Sequence, residues 1–335
     1  MAAKPKPKLR RVKAKLRQGS VTVPAWILDS GRPGECMLLT AAQHGNEVQG
    51  SEAIRRFVED YGPKISRGRL IAVPFTNLPA VRERRPHIRM GPEQSYGDAR
   101  GHNMNRTWPG RAAGNDTARV SHAIYEAFGD EATCALDLHT WERCVAPAVL
   151  IRDLPDVRKI ARGLGHRFVG VGPLDSKSST IAAHFCRTGR LGVTYEFSGQ
   201  YAVTDEQVRT GLRVVVNFAK QVGLLSGRLL KATGPVLFSD ECRTAVAKAP
   251  ATGLFVEEAP LAPLARVKKG QLLGRVLSDK DLSVREVRSP AAGYLRHYGA
   301  MRPDADVALK DLHPYVEKGE RVAVVQWKKP ARRRR

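Results

Sequence analysis

The chemistry this chain could perform is concentrated in four short segments. In MLLTAAQHGNEVQG an apolar run ends at His44, and Glu47 follows three residues later in the first turn of a helix-forming stretch, so both side chains can converge on one point. A neutral imidazole and a carboxylate supply two of the three protein ligands of an open catalytic zinc site. In CALDLHT a second apolar run ends at His139, which would complete a His-Glu-His set. Asp137 lies two residues earlier on the same side of that strand, where it can hold the imidazole tautomer. In LGVTYEFSG, Glu196 interrupts an otherwise apolar run, where a carboxylate is costly to bury unless it is paired or placed at a site. Beside a metal it suits general-base work. In NMNRTWPG, Asn105 and Arg106 offer an amide and a guanidinium fork, which together grip a carboxylate in bidentate fashion. Taken singly, each segment has a plainer account: a capping Glu beside a surface His, a satisfied strand-end His, a salt-bridge partner, a surface ion pair.

These residues need a scaffold that brings distant strand ends together. Apolar β-branched runs predict strands over 21–28, 37–41, 70–75, 135–139, 148–151, 166–171 and 191–197, with helices over 48–61, 118–129, 155–165, 179–188 and 205–222. Strand and helix in alternation predict a mostly parallel or mixed sheet with helices on both faces, where sites collect beyond the carboxyl ends of strands. His44 and His139 then become spatial neighbours. The irregular Arg- and Gly-rich stretch 82–101 reads as a long surface loop of the kind that forms lids.

Taken in order, HGNE, NLPA with following arginines, NMNR, DLH and YEFSG resemble the succinylglutamate desuccinylase and aspartoacylase group of the zinc carboxypeptidase superfamily, over roughly residues 35–225. The resemblance implies one zinc ion per chain held by His44, Glu47 and His139, with Glu196 as catalytic base and proton shuttle. It also implies that Asn105 and Arg106 anchor the substrate carboxylate. The implied reaction is hydrolysis of the amide of an N-acyl amino acid or related small carboxylate. Zinc would polarise the carbonyl and activate water, and Glu196 would pass the proton to the departing amine. The family's Asn-Pro and Asp-Leu-Asn-Arg are here Asn77-Leu78-Pro79 and Asn103-Met104-Asn105-Arg106, separated by a longer insert. The arginine that stabilises the oxyanion is therefore ambiguous; spacing favours Arg85 over Arg82, Arg84 and Arg89. A metallocarboxypeptidase acting on peptides would use the same zinc set and clamp.

After Gly227 the sequence changes to short strands punctuated by Gly and Pro, a smaller all-β, barrel-like domain. Within it 267–299 resembles biotinyl and lipoyl carrier domains and places Lys280 in a hairpin turn. The expected layout is a basic disordered arm (1–18), an α/β zinc hydrolase domain (19–227), the β domain (228–327) and a basic tail (328–335). The formal net charge of +23 suggests a nucleic-acid binder until it is apportioned. The first 17 residues hold eight Lys/Arg and no acid, and residues 327–335 hold six more, so most of the excess is peripheral. A nucleic-acid binder would leave the His-Glu-His-Glu set unexplained. The expected partner is a small acyl amino acid, with a homo-oligomer allowed and membrane or nucleic-acid contact disfavoured. Five cysteines without a CxxC pair argue against a disulfide framework or thiolate zinc site. The start of the chain has no apolar leader, so the cytoplasm is the expected location.

Overall fold

The computed structural model describes residues 4–89, 102–175, 178–231, 234–301 and 313–330. Two compact units divide the chain: the first is built from the described residues up to and including Thr140 and from Ala148–Val236, the second from Trp141–Pro147 and the described residues from Leu237 onwards.

The first unit contains a mixed sheet. Its strands are β1 (Lys8–Lys15), β2 (Ser20–Asp29), β3 (Cys36–Ala41), β4 (Arg69–Val73), β5 (Cys134–Trp141), β6 (Ala148–Arg152), β7 (Phe168–Gly172) and β8 (Leu191–Ser198). They run in the order β1-β2-β4-β3-β5-β8-β6-β7. β3 pairs in parallel with both β4 and β5, so Thr40 lies opposite Asp137 and Ala41 opposite Leu138. The helices are α1 (Gln49–Asp60), α2 (Leu78–Glu83), α3 (Asp116–Phe128), α4 (Pro155–Gly163), α5 (Ile181–Arg187) and α6 (Asp205–Gln221). On one face, inward residues of β1 to β5 pack against Val120, Ile124 and Phe128 of α3 and Ile181 and Phe185 of α5, with Met104 and Trp108 in the same cluster. α1 lies close over β3 and β5, where a side chain at Gly50 would collide with Leu138 and Ala41.

Every strand and helix expected in this unit is present. Two elements were not expected. One is α2; the other is β1, which occupies the stretch read as a disordered basic arm and pairs antiparallel with β2 along its whole length. Its cations face solvent, whereas Val12 and Ala14 alternate inward and are buried against α3. That period of two, hidden beneath the charge, is what makes the segment a strand.

The main segment of the second unit begins at Leu237, nine residues later than expected, with β9 (Leu237–Phe238). β10 (Cys242–Lys248), β11 (Gly253–Glu257), β12 (Arg266–Val267), β13 (Leu272–Ser278), β14 (Val284–Arg288), β15 (Gly293–Tyr298), β16 (Tyr315–Val316) and β17 (Arg321–Lys328) follow. They form two four-stranded sheets, β10-β17-β15-β12 and β14-β13-β11-β16, rather than one closed barrel. Phe255, Leu273, Val276, Leu295, Val322 and Val325 belong to the core of this unit. Lys280 lies exposed in the β13–β14 turn. Lys328 is the last residue of β17, and 331–335 lie outside the described residues, as does 90–101 of the expected loop.

Candidate metal centre

β3 delivers the chain into the turn that carries His44 and Glu47. Gly45 is the pivot of this turn: a Cβ there would lie 2.2 Å from the Ala80 carbonyl and 2.4 Å from the Arg85 carbonyl oxygen, so only glycine lets the turn pass beneath α2. Glu47 then points back across the end of β5. Its Oε1 lies 2.9 Å from His44 Nδ1 and its Oε2 2.9 Å from His139 Nδ1. All three side chains are buried, and their ligand atoms fall within 4.8 Å of one another.

The outer hydrogen bonds decide the tautomers. His139 Nε2 sits 2.8 Å from Asp137 Oδ2, and His44 Nε2 sits 3.0 Å from Asn103 Oδ1, an oxygen that also accepts from the Asn105 backbone N–H. Both partners are acceptors, so each Nε2 carries a proton. Each Nδ1 therefore turns a lone pair towards a carboxylate oxygen, an arrangement that is repulsive unless a cation lies between them. A proton can serve, and burial of His139 is outweighed by Asp137 and Glu47, which raise its pKa well above the ordinary value. Burial of Glu47 is likewise outweighed by the two histidines, which hold its pKa well below the carboxylate range. A divalent metal satisfies the same geometry with two imidazoles and one carboxylate, and the residues present fit it. Among the described residues this is the one group of three or more metal-ligating side chains so arranged.

Glu196 is buried on β8, the strand next to β5, opposite Ala148 of β6. The chain leaving β8 is tied to the same turn: Tyr201 N–H donates to Asn46 O (2.8 Å), and Gln200 Nε2 donates to Thr140 O (2.8 Å) and to Glu47 Oε1 (3.3 Å). Gln49 Nε2 bonds Ser198 O at 2.6 Å. The residue that follows YEFSG, Gln200, thus reaches the His-Glu-His set through its side chain.

Asn105 and Arg106 occupy a short 3-10 turn, Met104–Arg106, joined to the centre by Asn103. Asn105 Oδ1 is buried without a hydrogen-bond partner among the described residues, and Arg106 is exposed. Arg152, at the end of β6, donates to Ser178 Oγ at 2.6 Å and to Pro173 O at 3.1 Å. Burial lowers its pKa, and the charges of Arg106 and Arg187 add to this against the opposing pull of Asp175. Of the arginines in and after α2, Arg82 and Arg84 are exposed, and Arg89 pairs with Asp116 at 3.0 Å. Arg85 is half-buried, with its carbonyl against Gly45.

Reasoning from residue types missed Asn103, Gln43, Trp108, Gln200 and His87. Asn103 had a visible signal, since it is the first residue of the NMNR segment already singled out. His87 had none: it lies in the irregular stretch after α2, yet it is buried and meets His44 edge-on, ring centroids 5.4 Å apart.

A profile of the succinylglutamate desuccinylase/aspartoacylase catalytic domain matches residues 33–222. The chain is 26% identical over 317 residues, 92% of its length and 86% of the relative's, to an N-alpha-acetyl-L-2,4-diaminobutyric acid deacetylase of Halomonas elongata. Its fold is similar to that of a succinylglutamate desuccinylase/aspartoacylase of Rhodobacter sphaeroides (TM-score 0.69, 22% identity, 97% of this chain and 96% of that one). It is also similar to the product-bound ectoine utilization protein EutE (DoeB) of Ruegeria pomeroyi (TM-score 0.69, 22% identity, 97% and 99%).

Proposed function

The chain belongs to the succinylglutamate desuccinylase/aspartoacylase family, and on that premise we propose that it is a zinc-dependent amidohydrolase that removes the acyl group from a small N-acyl amino acid. The observation that carries this reading is the buried His44-Glu47-His139 set, in which both Nδ1 lone pairs face one carboxylate and demand a cation. Zinc held there would supply a Lewis acid for the scissile carbonyl and for water. Asp137 and Asn103 hold the two imidazoles in the tautomer such ligation needs.

Glu196 is the general base in this reading. It takes a proton from the attacking water and returns it to the departing amine, so the carboxylate ends each cycle as it began. Its burial in an apolar strand keeps that proton from bulk water. Arg106 and Asn105 grip the substrate carboxylate. Arg85 is the arginine best placed to meet the developing oxyanion, because its neighbours are exposed or already paired. The overall positive charge favours anionic substrates on approach.

The test is metal analysis of the purified protein together with turnover of N-acetyl-L-2,4-diaminobutyrate, N-succinyl-L-glutamate and N-acetyl-L-aspartate. The expected result is close to one zinc per chain and hydrolysis of at least one substrate, abolished by chelation and restored by zinc. Hydrolysis that survives complete removal of metal would refute the reading.

A further inference from the structure

Gln43 immediately precedes His44 and is completely buried, yet none of the roles above uses it. Its side chain joins two parts of the site. Nε2 donates to Asp137 Oδ2 at 2.6 Å, the same oxygen that receives His139 Nε2, while Oε1 accepts from the Trp108 indole N–H at 2.8 Å. The amide has one workable orientation, because turning it over would set its NH2 against the indole N–H and its oxygen against a carboxylate. Asp137 is held from the other side by Thr40 Oγ1, 2.7 Å from Oδ1. Trp108 is buried two residues beyond Arg106, and its backbone N–H is fixed to Ser179 O at 3.1 Å.

We propose that Gln43 is a positioning residue: held by the Trp108 indole, it fixes the Asp137 carboxylate and hence the orientation of His139, linking the metal-binding set to the turn that carries Asn105 and Arg106. The inference rests on the metal reading above. Thr40 by itself leaves Asp137 free to pivot about Oδ1, and Gln43 removes that freedom at the oxygen His139 uses. Neither Gln43 nor Trp108 titrates, so the link transmits shape rather than charge. Both of its side-chain hydrogen bonds lie within the protein, at full burial, where each lost partner is felt in full.

The experiment measures zinc dissociation constants by chelator competition, well below the unfolding temperature, for the wild type, Gln43→Met, Trp108→Phe and the double variant. Gln43→Met keeps the length of the side chain and loses both hydrogen bonds. Its zinc affinity should fall about tenfold, the lower end of what outer-sphere partners of a ligand contribute. Trp108→Phe loses only the indole N–H and should weaken zinc about threefold, the modest net worth of one neutral hydrogen bond. The double variant should be no weaker than Gln43→Met, because the indole acts through the amide. A purely structural role would lower thermal stability and leave zinc affinity in place.

Wild-type zinc affinity in Gln43→Met, or losses that add in the double variant, overturns the proposal. Should Gln43→Met fail to fold, unchanged zinc affinity in Trp108→Phe overturns it equally. A wild type that binds no zinc brings down the metal reading and this inference with it, whereas a zinc-binding wild type beside an unaffected Gln43→Met refutes the inference alone.

Discussion

The strands of the two units bury their ionisable residues in opposite ways. β3 is buried at every position, β5 at all but its last, and β8 at all but its first. Such strands give Asp137, His139 and Glu196 no solvent-facing side to occupy, so a charge on them has to be compensated within the protein. Asp137 and His139 show how: together they engage Thr40, Gln43 and Glu47. In the second unit β10, β13 and β15 show outward positions among buried ones, and charged residues simply point out. One residue breaks that pattern. His297 of β15 is 4% exposed, and neither ring nitrogen has a hydrogen-bond partner among the described residues. A buried ionisable group with a full set of partners marks a site, and one without partners marks a liability.

The largest effect should follow from breaking the paired set. Replacing His139 by Ala removes one of the three proposed metal donors and leaves Glu47 and Asp137 as neighbouring buried carboxylates with one partner fewer. Zinc content should fall to background in His139→Ala, and in the corresponding variants of His44 and Glu47, with activity lost in parallel. Full zinc occupancy in all three variants would show that these residues are paired for stability alone.

Glu196→Gln sharpens the comparison, because it separates ligation from proton transfer. The amide nearly preserves shape and hydrogen-bonding reach but cannot accept a proton from water. General acid-base groups contribute about 10² to 10⁴-fold, so kcat should fall by that order while zinc content and fold are retained. Loss of zinc along with activity would make Glu196 a ligand, and retention of both would move the base elsewhere. A smaller loss is expected from Arg106→Lys, since charge survives and only the planar fork is lost. A rise in KM of roughly tenfold, about one lost hydrogen bond to a charged group, would support the clamp. An unchanged kcat/KM would place the clamp at another arginine, in the stretch Arg82 to Arg89.

The sequence made the first kind of burial legible and the second nearly invisible. An acid or histidine inside an unbroken apolar run stands out without any structure, which is why His139 and Glu196 could be singled out. Side chains that complete the centre from irregular segments carry no periodicity, so His87 and Asn103 gain meaning only when the turns close over His44. Gln43 and Trp108 are ordinary residues until the fold sets the indole N–H against the amide. β1 shows the opposite difficulty, since eight cations in the first 17 residues masked the alternation of Val12 and Ala14. The boundary of the second unit was misplaced for a further reason: Trp141–Pro147, at and after the end of the strand that carries His139, belongs to that unit. Ala146 N–H bonds Arg296 O at 3.0 Å and Tyr298 N–H bonds Cys144 O at 2.8 Å, pairings between segments 150 residues apart that no local pattern foretells.

The smallest effect concerns His297 and reads the liability directly. Burial pushes its pKa down to about 3, assisted by the positive charges of Arg321 and Arg296. The folded state therefore keeps this imidazole neutral, whereas the unfolded chain takes up a proton near the ordinary value of about 6.5. Below that pH the unfolded state binds more protons, so stability falls as pH falls through the window from about 6.5 to 3, by up to about 1.4 kcal/mol per unit from this group. Above about 6.5 the residue contributes no pH dependence. His297→Leu replaces a buried polar ring that has no hydrogen-bond partner among the described residues by an apolar side chain, and should flatten the acid limb of thermal stability measured between pH 7 and 4. The carboxylates of the first unit, with His44 and His139 beside them, would still carry their own acid loss, so the limb should shrink without vanishing. An acid limb identical in wild type and His297→Leu would mean that water or a rearranged neighbour satisfies the ring, and that the second unit buries its histidine as carefully as the first buries its own.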